Sequence, residues 1–170
     1  MHTGVMLNDV TIRTSLQPGD IGYITYLHGK LYKDEYNYGI VFETYVAEGL
    51  LEFYRQYNPQ KDGVWICEHN NKIVGFLLLM SRGTAAQLRY FILEAGYRGI
   101  GLGNKLMNGF MDFLRLKQYT SCYLWTTHEL DTAAHLYKKN GFVLTEEKAS
   151  TAFGKPLKEQ RYDLSLPRLH

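Results

Sequence analysis

The chain has 170 residues and a formal net charge of +2, from 19 Lys and Arg against 17 Asp and Glu. That balance speaks against a nucleic-acid surface, which usually carries clustered basic residues. The longest apolar run, Ile73–Met80, is interrupted by Gly75 and is far too short to span a bilayer.

The start of the chain, with Asn8 and Asp9, lacks the apolar core of a signal peptide. A cytoplasmic location is expected, with neither membrane nor nucleic acid as partner. A homodimer is left open. Cys67 and Cys122 both fall inside apolar strand-like runs and read as small buried hydrophobes, not as a disulfide framework. No Cys, His and Asp spacing suggests a metal site. The length predicts one domain, residues 1–170, without repeats or long linkers.

In chain order, Val10–Arg13 alternates and reads as a first strand. Pro18 is well placed to open a helix with Ile21, Ile24, Leu27, His28, Leu31 and Tyr32 on one face. A second helix carries Phe42, Val46, Gly49, Leu50 and Phe53 on its face and ends near Asn58-Pro59. Val64–Glu68 and Lys72–Met80 flank Asn70-Asn71 as a hairpin, and Ala85–Glu94 reads as a fourth strand. After a glycine loop, Leu102, Leu106, Phe110 and Phe113 recur at helical spacing. Cys122–Thr126 reads as a strand, Ala133–Asn140 as a short helix ended by Gly141, Phe142–Leu144 as a strand, and Arg161–Leu166 as the closing strand. The order is β-α-α-β-β-β-α-β-α-β-β, an α/β fold with a sheet of mixed direction. Tyrosine is abundant, 14 of 170 residues, with many between Tyr23 and Tyr57. The plain reading is a tyrosine-rich core and surface; the sharper one is an aromatic acceptor pocket in the first two helices.

The glycine loop, Arg98-Gly99-Ile100-Gly101-Leu102-Gly103-Asn104, carries the most chemistry. Its spacing is neither G-x-G-x-x-G nor G-x-x-x-x-G-K-[ST], because Asn104 stands where each of those patterns needs a glycine. What fits is R-x-x-G-x-G, at Arg98, Gly101 and Gly103. Backbone N–H groups there, at the start of a helix, form an anion nest suited to a phosphate or pyrophosphate.

This loop resembles the acyl-CoA pyrophosphate loop of the GNAT superfamily of N-acyltransferases. A second piece, Ala133-x-x-Leu136-Tyr137-x-x-x-Gly141-Phe142, is similar to that family's later signature. Further stretches, Gln87–Glu94, Leu124-Trp125-Thr126, Phe153-Gly154 with Gln160, and His28…Tyr32…Glu35-Tyr36…Phe42-Glu43, look like the acetyltransferase half of bacterial MarR–GNAT fusion proteins. The DNA-binding half of such fusions is not expected here, the first strand being read within about ten residues of Met1.

The resemblance implies a GNAT-like, mostly antiparallel central sheet flanked by helices, with acetyl-CoA as cofactor. Its phosphates would lie on Arg98, Gly99, Ile100, Gly101, Leu102, Gly103 and Asn104. The pantetheine would pair with backbone groups of Phe91, Ile92 and Leu93, the Leu93 N–H serving as oxyanion donor. Tyr137 matches the family's general-acid position. Many relatives have an Asn about seven residues before that tyrosine; here Thr126 or Thr127 would supply a hydroxyl instead. A carboxylate often found earlier on the fourth strand is also absent, Gln87 lying near that point. A base for the amine is therefore sought among His28, Glu35, Glu43 and Glu94, with His28 and Glu43 assigned catalytic roles. The first two helices would wall the acceptor site with His28, Tyr32, Glu35, Tyr36 and Glu43. The expected activity is direct acetyl transfer to a primary amine of a small molecule or amino acid. Acetylation of a protein N-terminus or lysine, and a non-catalytic acyl-CoA sensor, are the competing readings.

Overall fold

The structure, a computed structural model, describes residues 4–167. Seven strands form one sheet: β1 (Thr11–Arg13), β2 (Gly63–His69), β3 (Lys72–Arg82), β4 (Ala85–Leu93), β5 (Ser121–Thr127), β6 (Val143–Ser150) and β7 (Leu157–Ser165). Four helices flank it: α1 (Asp20–Tyr36), α2 (Ile40–Gln56), α3 (Leu102–Leu116) and α4 (Asp131–Lys139). The spatial order is β1-β2-β3-β4-β5-β7-β6, and every pairing is antiparallel except β4 with β5. The expected element order and mostly antiparallel α/β sheet are therefore what the chain adopts. No helix among the described residues is long and apolar enough to cross a membrane.

Two cores sit on opposite faces of the sheet. On one face, α3 and α4 bury Leu106, Met107, Phe110, Leu114 and Tyr137 against strand residues such as Val74, Leu77 and Leu79. On the other, α1 and α2 bury Ile24, Leu27, Phe42, Val46, Leu50 and Phe53 against Ile66, Phe76, Leu78 and Met80. Strand β3 is covered on both faces, which explains why it reads as a continuous apolar run and not as an alternating one. The Asn70-Asn71 turn holds both residues in the left-handed region, φ +52° and +61°, as a tight two-residue hairpin requires.

Two irregularities position the site. Strands β4 and β5 pair only over Ala85–Gln87 with Ser121–Tyr123, although both run on well beyond. The sheet is split where they diverge. Strand β4 also carries a bulge: Phe76 faces Ile92 but Leu78 faces Arg89, so Leu77 spans both Tyr90 and Phe91. Tyr90 takes φ +61° there, a conformation that costs a non-glycine residue on the order of 1–3 kcal/mol. The bulge exchanges the faces of β4. Before it Ala86 and Leu88 join the α3/α4 core; after it Phe91 and Leu93 do, while Tyr90 and Ile92 join the α1/α2 core.

Candidate active site

The gap between β4 and β5 opens into a cavity of about 560 Å³, within the range of small-ligand sites. One side is made by the glycine loop. Gly99 and Gly101 take φ of +77° and +90°, and Gly101 caps α3. The first helical bond runs from Lys105 N–H to Gly101 O. The amides of Leu102, Gly103 and Asn104 are therefore left without helical acceptors. Arg98, Gly99, Gly101, Gly103 and Asn104 line the cavity. Ile100 and Leu102 point into the core instead, so they can serve a ligand only through backbone atoms.

Gly103 also sits at a helix contact. An added Cβ would come within 3.0 Å of Leu136 Cδ1 on α4, a contact that the flexible end of Leu136 can relieve by a few tenths of an ångström.

The second side is the free edge of β4. Glu94 N–H bonds Val74 O at 2.8 Å, which makes Val74–Glu94 a hydrogen-bonded pair. The next pair, Gly75 with Leu93, is then non-hydrogen-bonded, and the Leu93 N–H and C=O point away from β3 toward the gap. Phe91, two residues earlier, also lines the cavity. The Leu93 carbonyl accepts from Arg98 Nε at 3.0 Å.

Tyr137 closes the far end from α4, buried and packed by Phe91, Phe142 and Tyr162. Burial raises its phenol well above the usual tyrosine range, so it keeps its proton at neutral pH. Thr126 lies on β5 with its hydroxyl buried and without a partner, and it too lines the cavity. The hydroxyl of Thr127 is taken by Tyr38 Oη at 2.7 Å.

The third side is an aromatic wall from α1 and α2. The Tyr32 and Phe42 rings lie 4.5 Å apart, Tyr38 and Phe42 5.2 Å, and Phe42 and Phe153 5.1 Å. Tyr32, Glu35 and Tyr36 reach the cavity as their helical spacing predicts. Glu35, however, is engaged: its carboxylate accepts from Arg98 Nη1 at 2.7 Å and Nη2 at 3.1 Å. A carboxylate of α1 and the arginine of the glycine loop thus neutralise each other across the cavity.

Two expected roles need correction. Glu43 does not line the cavity; its side chain packs against Gly29 on α1, where a Cβ would overlap the carboxylate. On α2 it is Phe42, Tyr45 and Val46 that face the site, and Glu43 lies one position off that stripe. His28 does line the cavity, but as a base it is poor. Its Nδ1 donates to Ile24 O at 2.8 Å, so the partnerless Nε2 carries the lone pair. Full burial pushes its pKa down to about 4, far below that of any alkyl ammonium. At neutral pH it stays unprotonated and can accept a hydrogen bond.

That depression predicts a pH effect on stability. Above about pH 6.5 the imidazole is neutral whether the chain is folded or not. Below it the unfolded chain takes up a proton that the folded one refuses, so stability falls as the pH drops toward 4. Between pH 7 and 4.5 the loss from this residue is about 2–3 kcal/mol. Denaturant melts of His28→Phe at both pH values should show a loss smaller by that amount; an identical loss would contradict the burial argument.

The sequence reading missed several lining residues: Tyr38, Tyr45, Arg89, Trp125, Glu129 and Phe153. The concentration of tyrosine in the first third was the available signal for Tyr38 and Tyr45. Among the described residues, no group of three or more His, Cys, Asp or Glu could hold a metal ion.

Residues 60–144, 85 of the 170, match the acetyltransferase (GNAT) domain family. The chain belongs to the GNAT acetyltransferase family. The matched stretch holds β2, β3, β4, the glycine loop, α3, β5 and α4, and so both the loop and Tyr137. Two curated relatives carry names of uncharacterised N-acetyltransferases. MJ1207 of Methanocaldococcus jannaschii is 28% identical over 89 residues, 48% of this chain and 39% of the relative. YjgM of Escherichia coli is 30% identical over 103 residues, 58% of this chain and 62% of the relative. The matches thus span about two fifths and three fifths of these relatives' lengths. Among solved structures, yncA of Salmonella typhimurium, determined with its cofactor acetyl-CoA, superposes with a TM-score of 0.72 at 19% identity. That likeness covers 94% of this chain and 95% of the other, and it establishes the shared GNAT fold.

Proposed function

We propose that residues 1–170 form one GNAT domain, like the acetyltransferase half of MarR–GNAT fusions, that moves the acetyl group of acetyl-CoA to a primary amine. The acceptor is a small molecule or an amino acid, and transfer is direct, within a ternary complex. The observation that carries this reading is the Leu93 N–H, turned away from β3 between the R-x-x-G-x-G loop and Tyr137, all on one cavity.

The residues present fit the cofactor. The free amides of Leu102, Gly103 and Asn104 and the positive end of α3 suit its phosphates. The unpaired edge of Phe91–Leu93 suits the amides of an extended pantetheine arm, as an added strand would. Bound acetyl-CoA supplies the activated thioester. The Leu93 N–H donates to the carbonyl oxygen as the amine nitrogen attacks and negative charge gathers there. Tyr137 then gives its proton to the departing sulfur as the carbon–sulfur bond breaks. The same burial that raises the phenol also raises a thiol beside it, so the transfer is not made steeper by desolvation. Glu43 lies outside the cavity and His28 is a poor base, so neither takes the amine's surplus proton. The aromatic wall and Glu35 favour an amine-bearing acceptor.

Arg98 must exchange Glu35 for a phosphate. Glu35→Gln removes that competition and should tighten acetyl-CoA binding about two- to tenfold, up to about 1.4 kcal/mol. Calorimetry reads it directly; weaker binding in the variant would contradict the exchange. The activity itself is tested by a screen of primary amines with thiol-release detection. Acetyl-CoA-dependent thiol release with one or more amines is expected; a folded protein that binds acetyl-CoA and acetylates no amine would overturn the reading.

A further inference from the structure

We propose that Arg89 receives a carboxylate of the acceptor, so that the substrate of this site is an amino acid and not a simple amine. The inference rests on the acetyltransferase reading above.

The Arg89 side chain is only 9% exposed and lines the cavity, yet it lacks a good partner. Its nearest acceptors are Tyr45 Oη at 3.5 Å and Glu52 Oε2 at 3.6 Å, both beyond a well-formed bond. Glu52 sits at the surface, half exposed, and its other oxygen is held by Arg82 at 3.0 Å. A guanidinium taken out of water without a bidentate partner is costly, and a carboxylate is the group whose planar fork matches it.

The surroundings are built for this arginine. The bulge in β4 turns two consecutive side chains, Arg89 and Tyr90, toward α2. There they meet Gly49, where an added Cβ would overlap the Tyr90 hydroxyl and come within 2.6 Å of Arg89 Nη2. Glycine in mid-helix costs about 1 kcal/mol against alanine, and Tyr90 bears a left-handed φ besides. Both costs are met where Arg89 lies over the Tyr90 ring, 4.8 Å from its centroid. The Tyr90 hydroxyl is buried and has no partner, so a second donor stands beside the first. A guanidinium and a phenol, both short of acceptors, specify an anion. Strained backbone beside a ligand site is where such features cluster.

The cavity then has complementary ends. Leu93 and Tyr137, with Phe91 between them, mark the thioester end. Arg89 lies four residues before Leu93 on β4. The aromatic wall runs along one side for the body of the substrate.

Matched pairs test this: phenylalanine against phenethylamine, and lysine against cadaverine, each with acetyl-CoA and thiol-release detection. In at least one pair the carboxylate-bearing member should have a kcat/KM at least tenfold the higher. Arg89→Gln should erase that preference with acetyl-CoA affinity unchanged within threefold, Arg89→Lys should keep part of it, and Glu52→Gln should keep all of it. The proposal is overturned if the amines are preferred in both pairs, if the preference survives Arg89→Gln, or if no member is acetylated by protein that binds acetyl-CoA. Failure to bind acetyl-CoA at all would instead remove the acetyltransferase reading on which the proposal stands.

Discussion

Tyr137→Phe will lower kcat about 10²- to 10⁴-fold where the chemical step limits the rate, the usual worth of a positioned general acid. Acetyl-CoA affinity will stay within about threefold, because the ring and its packing on Phe91, Phe142 and Tyr162 are kept. A group that acts only in the transition state moves kcat and kcat/KM together, and that pattern is the signature to look for. The phenol keeps its proton throughout neutral pH, so no loss of activity from its ionisation is expected there. If the variant keeps wild-type kcat, Tyr137 is a core residue and the proton reaches the sulfur by another route.

Gly101→Val will abolish acetyl-CoA binding, by about 100-fold or more. Gly101 holds φ +90° at the start of α3, and no atom stands within 3.4 Å of a notional Cβ, Leu7 Cδ2 being nearest at 3.7 Å. The obstacle is thus the backbone, not the space: a β-branched residue is a genuine outlier at this φ, and the loop must refold to relieve it. Refolding turns the α3 amides away from the phosphates. Gly103→Ala is a useful contrast. Its φ is helical, and the only adjustment needed is a few tenths of an ångström at the flexible tip of Leu136. It should fold, with a small loss of affinity. Calorimetry with acetyl-CoA separates the two. Retained affinity in a folded Gly101→Val protein would take the phosphate site away from this loop.

Much of the fold was legible because local signals agreed with one another. The α2 stripe of Phe42, Val46, Gly49, Leu50 and Phe53 is the set of buried residues on that helix. The glycine loop, the Asn70-Asn71 hairpin and the α4 helix with Tyr137 were marked by glycines, asparagines and helical periodicity. What escaped depends on partners distant in sequence. The bulge at Tyr90 leaves Ala85–Leu93 reading as an ordinary strand, since apolar residues occur on both sides of it. Gly49 reads as one more member of a helical face; its reason lies on β4, about forty residues away, in Arg89 and Tyr90. Arg98 and Glu35 were each legible as ligand residues, but their pairing spans 63 positions and shows only in the folded chain. Glu43 was misplaced because its neighbour Phe42 does face the cavity, and one residue on a helix turns the side chain by about 100°.

The central claim is that the thioester lies along the unpaired edge of β4 with its phosphates on the loop at the start of α3. Backbone amide chemical shifts, followed by nitrogen-15 NMR as acetyl-CoA is added, address it residue by residue. The account predicts that the amides of Phe91 and Leu93 and those of Gly99 through Asn104 move together at one affinity, while those of β1 and β2 stay in place. Saturable shifts that leave Leu93 and the loop amides unmoved would contradict it.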